Sequence, residues 1–116
     1  MNFINWLDSL LNDIPADAIA FNFNLYETES DNLFEAQLVG SNQYDLDDED
    51  WACNTIYSSE ENLFSFEAED WEDALEKIII QAKEYIINSD NNKIKNAKHV
   101  TAGFVDGNLE IIFTMQ

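Results

Sequence analysis

The feature that most constrains the fold is a strict alternation of apolar and polar side chains at positions 19–26. Every second position carries a large apolar residue: Ile19, Phe21, Phe23 and Leu25. This two-residue period predicts a strand with one buried face. The polar segment 27–32 should then turn the chain. Residues 33–39, closed by Gly40 and Ser41, are expected to return as a hairpin partner.

Two stretches show the three- and four-residue steps of amphipathic helices. The first ends before Pro15 and is expected to bury Phe3, Trp6 or Leu7, Leu10, Leu11 and Ile14. The second should begin at Asp70 as N-cap and run to about Asn88. Its predicted buried face consists of Trp71, Leu75, Ile78, Ile79, Ala82, Tyr85 and Ile86.

Further strands are predicted from β-favouring residues between turn signals. Residues 51–57 and 63–67 flank the polar segment 58–62 and indicate a second hairpin. Residues 100–105 and 108–114 flank Asp106-Gly107, which suits a two-residue hairpin turn. The expected order is αββββαββ. This predicts one α+β domain over residues 1–116, with a mainly antiparallel sheet of about six strands and two helices on one face.

The charge is strongly negative and unevenly distributed. The 116 residues include 24 Asp and Glu against 5 Lys and no Arg, a formal net charge of -19. Residues 1–76 hold twenty acids and no lysine, whereas all five lysines lie in residues 77–116. Binding to bare nucleic acid or to an anionic membrane requires cationic groups, of which this chain has few. We therefore expect neither class as a direct partner.

Cysteine content and the N-terminal residues suggest a cytoplasmic protein. The single cysteine, Cys53, cannot form an intramolecular disulfide. Residues 1–11 lack the basic n-region and continuous apolar stretch of a secretory signal. No apolar run approaches the roughly 20 residues that a transmembrane helix needs.

Metal sites fit the sequence poorly. The most acidic window, residues 45–50, matches the alternating ligands of an EF-hand loop at Asp45, Asp47 and Glu49. The required glycine and glutamate are replaced by Asp50 and Ile56, so the match fails and only weak divalent binding remains open. Zinc is disfavoured too, because Cys53 and His99 alone offer thiol or imidazole ligands.

Catalytic groups are also missing. Cys53 follows an acidic run, which disfavours a thiolate, and is interpreted as a core residue. His99 precedes an apolar strand and is interpreted as structural. Without a glycine-rich loop or any arginine, no cofactor or nucleotide site is predicted. Acidic pairs such as Asp47 and Glu49 leave a small hydrolase open, but the sequence favours a non-enzymatic protein.

The positive signal is the pairing of acids with aromatic residues. Tyr44 and Trp51 bracket the acidic window, and Tyr57 precedes two further acids. Aromatic anchors ringed by negative charge suit a basic protein surface. The predicted partner-binding residues are Asp45, Asp47, Asp48, Glu49, Asp50, Trp51, Tyr57, Glu60 and Glu61. The alternative is that Trp51 and Tyr57 belong to the core and the acids form its solvated edge.

Four segments resemble a known class of protein. Residues 49–54 lead through 58–64 to the helix headed by Trp71, and residues 103–111 follow it. Over roughly residues 45–113 the chain resembles small acidic bacterial immunity proteins of polymorphic or contact-dependent toxin systems. The resemblance implies a non-enzymatic intracellular partner of a basic toxin domain, often a nuclease.

Two binding functions and one neutral interpretation follow. In the first, an immunity-type inhibitor neutralises a basic toxin through the acidic surface. In the second, a DNA mimic occupies the nucleic-acid site of a DNA-binding protein, because Asp45, Asp47 and Glu49 repeat about every 7 Å, as duplex phosphates do. The third is an acidic domain whose charge serves solubility only. The partner's identity and the oligomeric state are left open.

Overall fold

The architecture is α+β, as predicted. The computed structural model describes residues 2–44, 51, 55–88, 97–104 and 109–114. Within them lie two helices and six strands. In chain order these are α1 (Phe3–Leu11), β1 (Ala20–Glu27), β2 (Leu33–Ser41), β3 (Tyr57–Ser58), β4 (Phe64–Glu67), α2 (Trp71–Asn88), β5 (His99–Phe104) and β6 (Glu110–Thr114).

The six strands form one mixed sheet in the order β3-β2-β1-β5-β6, with β4 also pairing with β2. β1 is antiparallel to β2 and parallel to β5, while β5 and β6 are antiparallel. The parallel pair arises because a crossover that contains α2 separates β5 from the earlier strands. The sheet is therefore mainly antiparallel, with its central pair as the exception.

The predicted second hairpin is wrong. β3 and β4 do not pair with each other, since both run along the same edge of β2. Of the described residues in the predicted strand 51–57, which are 51 and 55–57, Tyr57 lies in a strand, whereas Trp51 and residues 55–56 do not. Ser59 explains the difference: its N–H donates to the Leu38 carbonyl at 2.8 Å, and its hydroxyl accepts the Leu38 N–H at 3.0 Å. The chain thus continues along β2, and residues 60–63 bulge outward.

α1 and the strands meet in an aromatic core on one face of the sheet. Phe23 of β1 and Phe64 of β4 contact Phe3, with ring centroids 5.8 and 5.5 Å apart. Trp6 lies 5.7 Å from Phe64 and is fully buried, as is Leu7. The Trp6 indole N–H donates to the Asn62 carbonyl at 3.0 Å, so α1 also holds the bulge.

A glycine lets two strands close over this core. A Cβ at Gly40 would lie 3.0 Å from Cε1 of Phe21, which is closer than most Cβ contacts in proteins. A side chain here would require the fully buried Phe21 ring to shift by a few tenths of an ångström, so glycine lets β2 approach the ring without that adjustment.

α2 covers the same face of the sheet and matches its predicted range. Ala74, Ile78, Ala82 and Tyr85 are buried, and Leu75, Ile79 and Ile86 pack against the core in part. The prediction that Trp71 is buried is wrong, since 53% of it is exposed. Trp71 occupies the first position of α2, where its ring meets Phe104 of β5 and about half of the residue is left exposed. No helix of the described residues is long and apolar enough to cross a membrane.

The Trp6 contacts yield a stability prediction. Replacing Trp6 with Phe removes the donor to Asn62 and leaves space beside Phe64, so it should lower the unfolding free energy by about 1–3 kcal/mol. The matched change Trp71→Phe should cost less than about 0.5 kcal/mol because that ring is half exposed. Urea unfolding measures both. Equal losses would contradict the assignment of Trp6 as a core anchor.

Candidate functional site

The predicted binding residues separate into two groups. Asp45, Asp47, Asp48, Glu49 and Asp50 lie outside the described residues, as does Cys53. Trp51, Tyr57, Glu60 and Glu61 are described, and each has a distinct setting.

Trp51 packs inside the protein and is only 5% exposed. Its ring meets the buried His99 ring at an angle of 67° with centroids 5.3 Å apart. The Tyr44 ring stacks on the same imidazole at 5.0 Å. The two aromatic residues that bracket the acidic window thus both pack against His99 of β5. Trp51 is part of the interior, which is the alternative that the sequence left open for it.

His99 is enclosed by these neighbours on the face of the sheet that carries no helix. Burial lowers the pKa of its imidazole, because the charged form would lose its hydration. Burial thereby favours the neutral form of the ring, which stacks on Tyr44. These contacts support the structural role predicted for His99.

Tyr57 is half buried and packs against the main core from β3. Burial raises the pKa of its hydroxyl, and the negative charge of Asp13 raises it further. The tyrosine is therefore an uncharged, amphipathic group at the edge of the sheet. One side of the ring belongs to the core, and part of it remains accessible to a partner.

Glu60 and Glu61 are exposed on the bulge 60–63. Glu60 adopts a positive φ of 51°, and its N–H donates to the Ser58 hydroxyl at 3.0 Å. Its carbonyl accepts a hydrogen bond from the side-chain amide of Gln37 at 3.2 Å. Because Trp6 binds the bulge from the helix side, these two acids sit on a backbone held from both faces of the sheet.

The Gln37 contact is the end of a polar network on the helix-free face. The Thr101 hydroxyl donates to Asn22 at 2.8 Å, and the amide of Asn22 donates to Asn24 at 2.5 Å. Gln37 Oε1 then accepts from Asn24 at 3.2 Å and from the Tyr26 hydroxyl at 3.0 Å. Among the described residues no buried side-chain polar atom lacks a partner. The network links three strands to the acidic bulge.

A pocket of about 420 Å³ lies where the β1–β2 turn meets the start of α2. Trp71 forms one wall, and its ring meets Phe104 edge-on with centroids 6.4 Å apart. Four exposed acids line the same space from three segments: Glu27 at the end of β1, Asp31 in the turn, and Glu69 and Asp70 before α2. We refer to this space and the residues that line it as the Trp71 pocket.

Backbone hydrogen bonds hold the two walls of the Trp71 pocket together. The Ala68 N–H donates to the carbonyl of Asn32 at 2.9 Å, and Asn32 has the left-handed φ of 64° that this turn requires. The Thr28 hydroxyl donates to the Leu33 carbonyl at 2.8 Å and closes the turn. The pocket is thus defined by the folded backbone and does not need a ligand to assemble.

Some carboxylates at the start of α2 form hydrogen bonds or an ion pair within the protein. Asp70 caps the helix by accepting the Asp73 N–H at 2.9 Å. A hydrogen bond from the Glu69 N–H lowers the pKa of Asp73, and a hydrogen bond from Lys77 contributes. The Lys77–Asp73 pair, at 3.1 Å, is the one ion pair of the described residues. Glu27, Asp31 and the carboxylate of Glu69 face the Trp71 pocket without a salt bridge there.

The Trp71 pocket suits an organic cation better than a metal ion. No group of three or more acidic, histidine or cysteine side chains in the described residues is arranged to hold a metal. An exposed indole instead offers its face to an ammonium or guanidinium group, and surrounding carboxylates strengthen that attraction. Lysine and arginine side chains of another protein carry these groups.

Sequence reasoning missed the Trp71 pocket because helical periodicity places Trp71 on the same side as Leu75 and Ile78. Periodicity shows which residues share one side of a helix, but not how completely the neighbouring strands cover each of them. The sequence places acids on either side of this tryptophan, at positions 69–70 and 72–73. The buried Trp51 also stands beside an acidic run, so this pattern alone does not indicate exposure.

Fluorescence quenching tests the character of the Trp71 pocket. Trp6 and Trp51 are buried, so a soluble quencher should reach Trp71 alone. Cationic caesium should quench more strongly than anionic iodide, since carboxylates concentrate cations locally. The triple variant Glu27→Gln/Asp31→Asn/Glu69→Gln should reduce that preference, whereas Asp17→Asn/Glu76→Gln/Glu110→Gln should not. Quenching that survives Trp71→Phe would contradict the assignment.

His99 predicts a pH dependence of stability. An ordinary histidine titrates near 6.5, and the folded value is lower. As the pH falls from 6.5 towards the lower pKa of the folded state, His99 is protonated in the unfolded chain but not yet in the folded one. Proton binding then favours the unfolded state, so the stability contributed by neutral His99 decreases over this range. The difference in unfolding free energy between wild type and His99→Gln should shrink from pH 7.5 to 5.5. Parallel curves would refute this role.

Comparison with known proteins gives no match to a family model, to a curated protein or to a solved structure.

Proposed function

We propose that this protein is a non-enzymatic binding module that recognises a basic protein, as an immunity-type inhibitor recognises its toxin. One observation carries the proposal: a half-exposed tryptophan forms the wall of a preformed pocket lined by four acids. The bulge with Glu60 and Glu61 adds charge on the β2 edge. The predicted residues Asp45, Asp47, Asp48, Glu49 and Asp50 are included in the proposed surface through their sequence alone.

The exposure of Trp71 supports a protein partner. Tryptophan is the residue most often found as an energetic hot spot of interfaces, where it fills or forms a desolvated pocket. Trp71 contacts Phe104 on one side, and the pocket leaves its other surface open. In this proposal an arginine or lysine of the partner stacks on the indole, while Glu27, Asp31 and Glu69 surround the cationic head. Tyr57 serves as a second, amphipathic contact.

The overall charge supports a basic partner. With 24 acids against 5 lysines, the protein attracts cationic surfaces over long distances and repels anionic ones. Such attraction raises association rates at low salt, which benefits an inhibitor that must act quickly. A nuclease toxin is the proposed target class, because nucleic-acid-binding sites are basic. We also propose that the protein acts in the cytoplasm.

Affinity measurements against the product of the adjacent reading frame and a panel of basic nucleases test the proposal. We expect one tight partner whose affinity falls with rising salt. Trp71→Ala should weaken binding by about 30-fold, the typical loss at a hot spot of 2 kcal/mol. Glu27→Gln/Asp31→Asn/Glu69→Gln should weaken it and flatten the salt dependence.

A charge-matched control separates the pocket from the general field. Asp17→Asn/Glu76→Gln/Glu110→Gln changes the net charge by the same amount on exposed residues outside the Trp71 pocket. Equal losses for both triple variants would show that only overall charge matters and would refute the pocket as the binding centre. Displacement of DNA from many unrelated DNA-binding proteins would instead favour the DNA mimic.

A further inference from the structure

α2 exposes an apolar strip of two isoleucines on the side facing away from the sheet, and α1 exposes a third isoleucine. Ile4 of α1 is 56% exposed, and Ile80 and Ile87 of α2 are 48% and 73% exposed. Seven residues are close to two helical turns, so Ile80 and Ile87 lie on one side of α2, about 10 Å apart along its axis. Large aliphatic side chains aligned at this spacing are typical of a helix that packs against another element.

A groove of about 340 Å³ runs beside this strip, between α1 and α2. Phe3 and Ile4 line it from α1, and Tyr85 lines it from α2. The Tyr85 hydroxyl donates to Oδ1 of Asp8 at 2.5 Å, which joins the two helices. The groove is therefore preformed, like the Trp71 pocket, but is built from different elements.

Two carboxylates determine the charge of the groove. Asp8 and Glu84 both line it, and both are exposed. By helical geometry, Lys83 lies on the opposite side of the Ile80–Ile87 line, outside the groove. The groove thus has an apolar strip on one flank and two carboxylates within reach, with no lysine among its lining residues.

We propose that this helix-layer groove, formed by Phe3, Ile4, Asp8, Glu84 and Tyr85 with Ile80 and Ile87 at its rim, docks an amphipathic basic helix of a partner protein. The apolar side of the incoming helix contacts the three isoleucines, and its lysines or arginines lie against Asp8 and Glu84. This mode of recognition uses residues three, four and seven apart as anchors. The proposal does not depend on the Trp71 pocket.

Charge distinguishes this occupant from two others. A second copy of the chain would bring another net charge of -19 against Asp8 and Glu84. An anionic membrane would be repelled for the same reason. A helix with basic flanks satisfies both the apolar strip and the carboxylates.

Methyl NMR of the full chain with labelled isoleucines tests the proposal directly. The probe is an 18-residue peptide of Leu, Ala and Lys with leucines at helical spacing, compared with a scrambled peptide of identical composition. The designed peptide should shift the Ile4, Ile80 and Ile87 methyl signals saturably and bind at least about tenfold more tightly than the scrambled one. Ile80→Ser/Ile87→Ser should remove that difference.

Control variants make each outcome informative. Ile111→Ser alters an equally exposed isoleucine, 57% accessible on β6, and should leave binding unchanged. Asp8→Asn/Glu84→Gln should weaken binding by about tenfold and reduce its salt dependence. Trp71→Ala should not change binding of the designed peptide. A failure of the groove proposal can therefore be told apart from a failure of the Trp71 pocket proposal.

Three results would overturn the inference. Equal binding of the scrambled peptide would show attraction by charge alone. Dimerisation in sedimentation experiments that Ile87→Ser abolishes would assign the groove to a second copy. Binding to phosphatidylcholine–phosphatidylglycerol vesicles that Ile87→Ser abolishes would assign it to a membrane surface.

Discussion

The structure depends on the packing of α1 against the sheet through aromatic side chains. Phe3 and Trp6 pack against Phe23 and Phe64, and this burial joins the first helix to the central strand β1 and to β4 at the edge of the sheet. A chain with a net charge of -19 repels itself when it becomes compact. Apolar burial is the main contribution that opposes this repulsion, because only one ion pair occurs among the described residues.

The same contacts position acidic groups at the surface. Trp6 binds the Asn62 carbonyl inside the bulge, and Gln37 binds the Glu60 carbonyl from the opposite face of the sheet. Glu60 and Glu61 are therefore carried on backbone that the core and the polar network both hold. Where the β1–β2 turn meets the start of α2, the hydrogen bond between Ala68 and Asn32 shapes the Trp71 pocket. A rigid scaffold of this kind lowers the entropy lost when a partner binds.

Local pattern was sufficient for most elements and insufficient for how they combine. Alternation in β1 and the three- and four-residue steps of both helices predicted their positions, because each is set by which side chains a single element must bury. The edge shared by β3 and β4 was not predicted, since Ser59 extends the ladder only once Leu38 is beside it. Of the predicted site residues, Glu60 and Glu61 are exposed as expected, while Trp51 is buried against His99.

By itself the sequence determined the α+β class, the element order, the excess of acids and the lack of cationic groups for binding nucleic acid. These properties follow from composition and from periods of a few residues. Only the tertiary structure decided which tryptophan is accessible, since Trp51 and Trp71 both stand beside acidic runs. Trp51 is covered by its contacts with His99 of β5, whereas Trp71, at the start of α2, meets Phe104 of β5 and stays 53% exposed. Exposure depends on which distant residues arrive at a side chain, and local pattern does not contain that information.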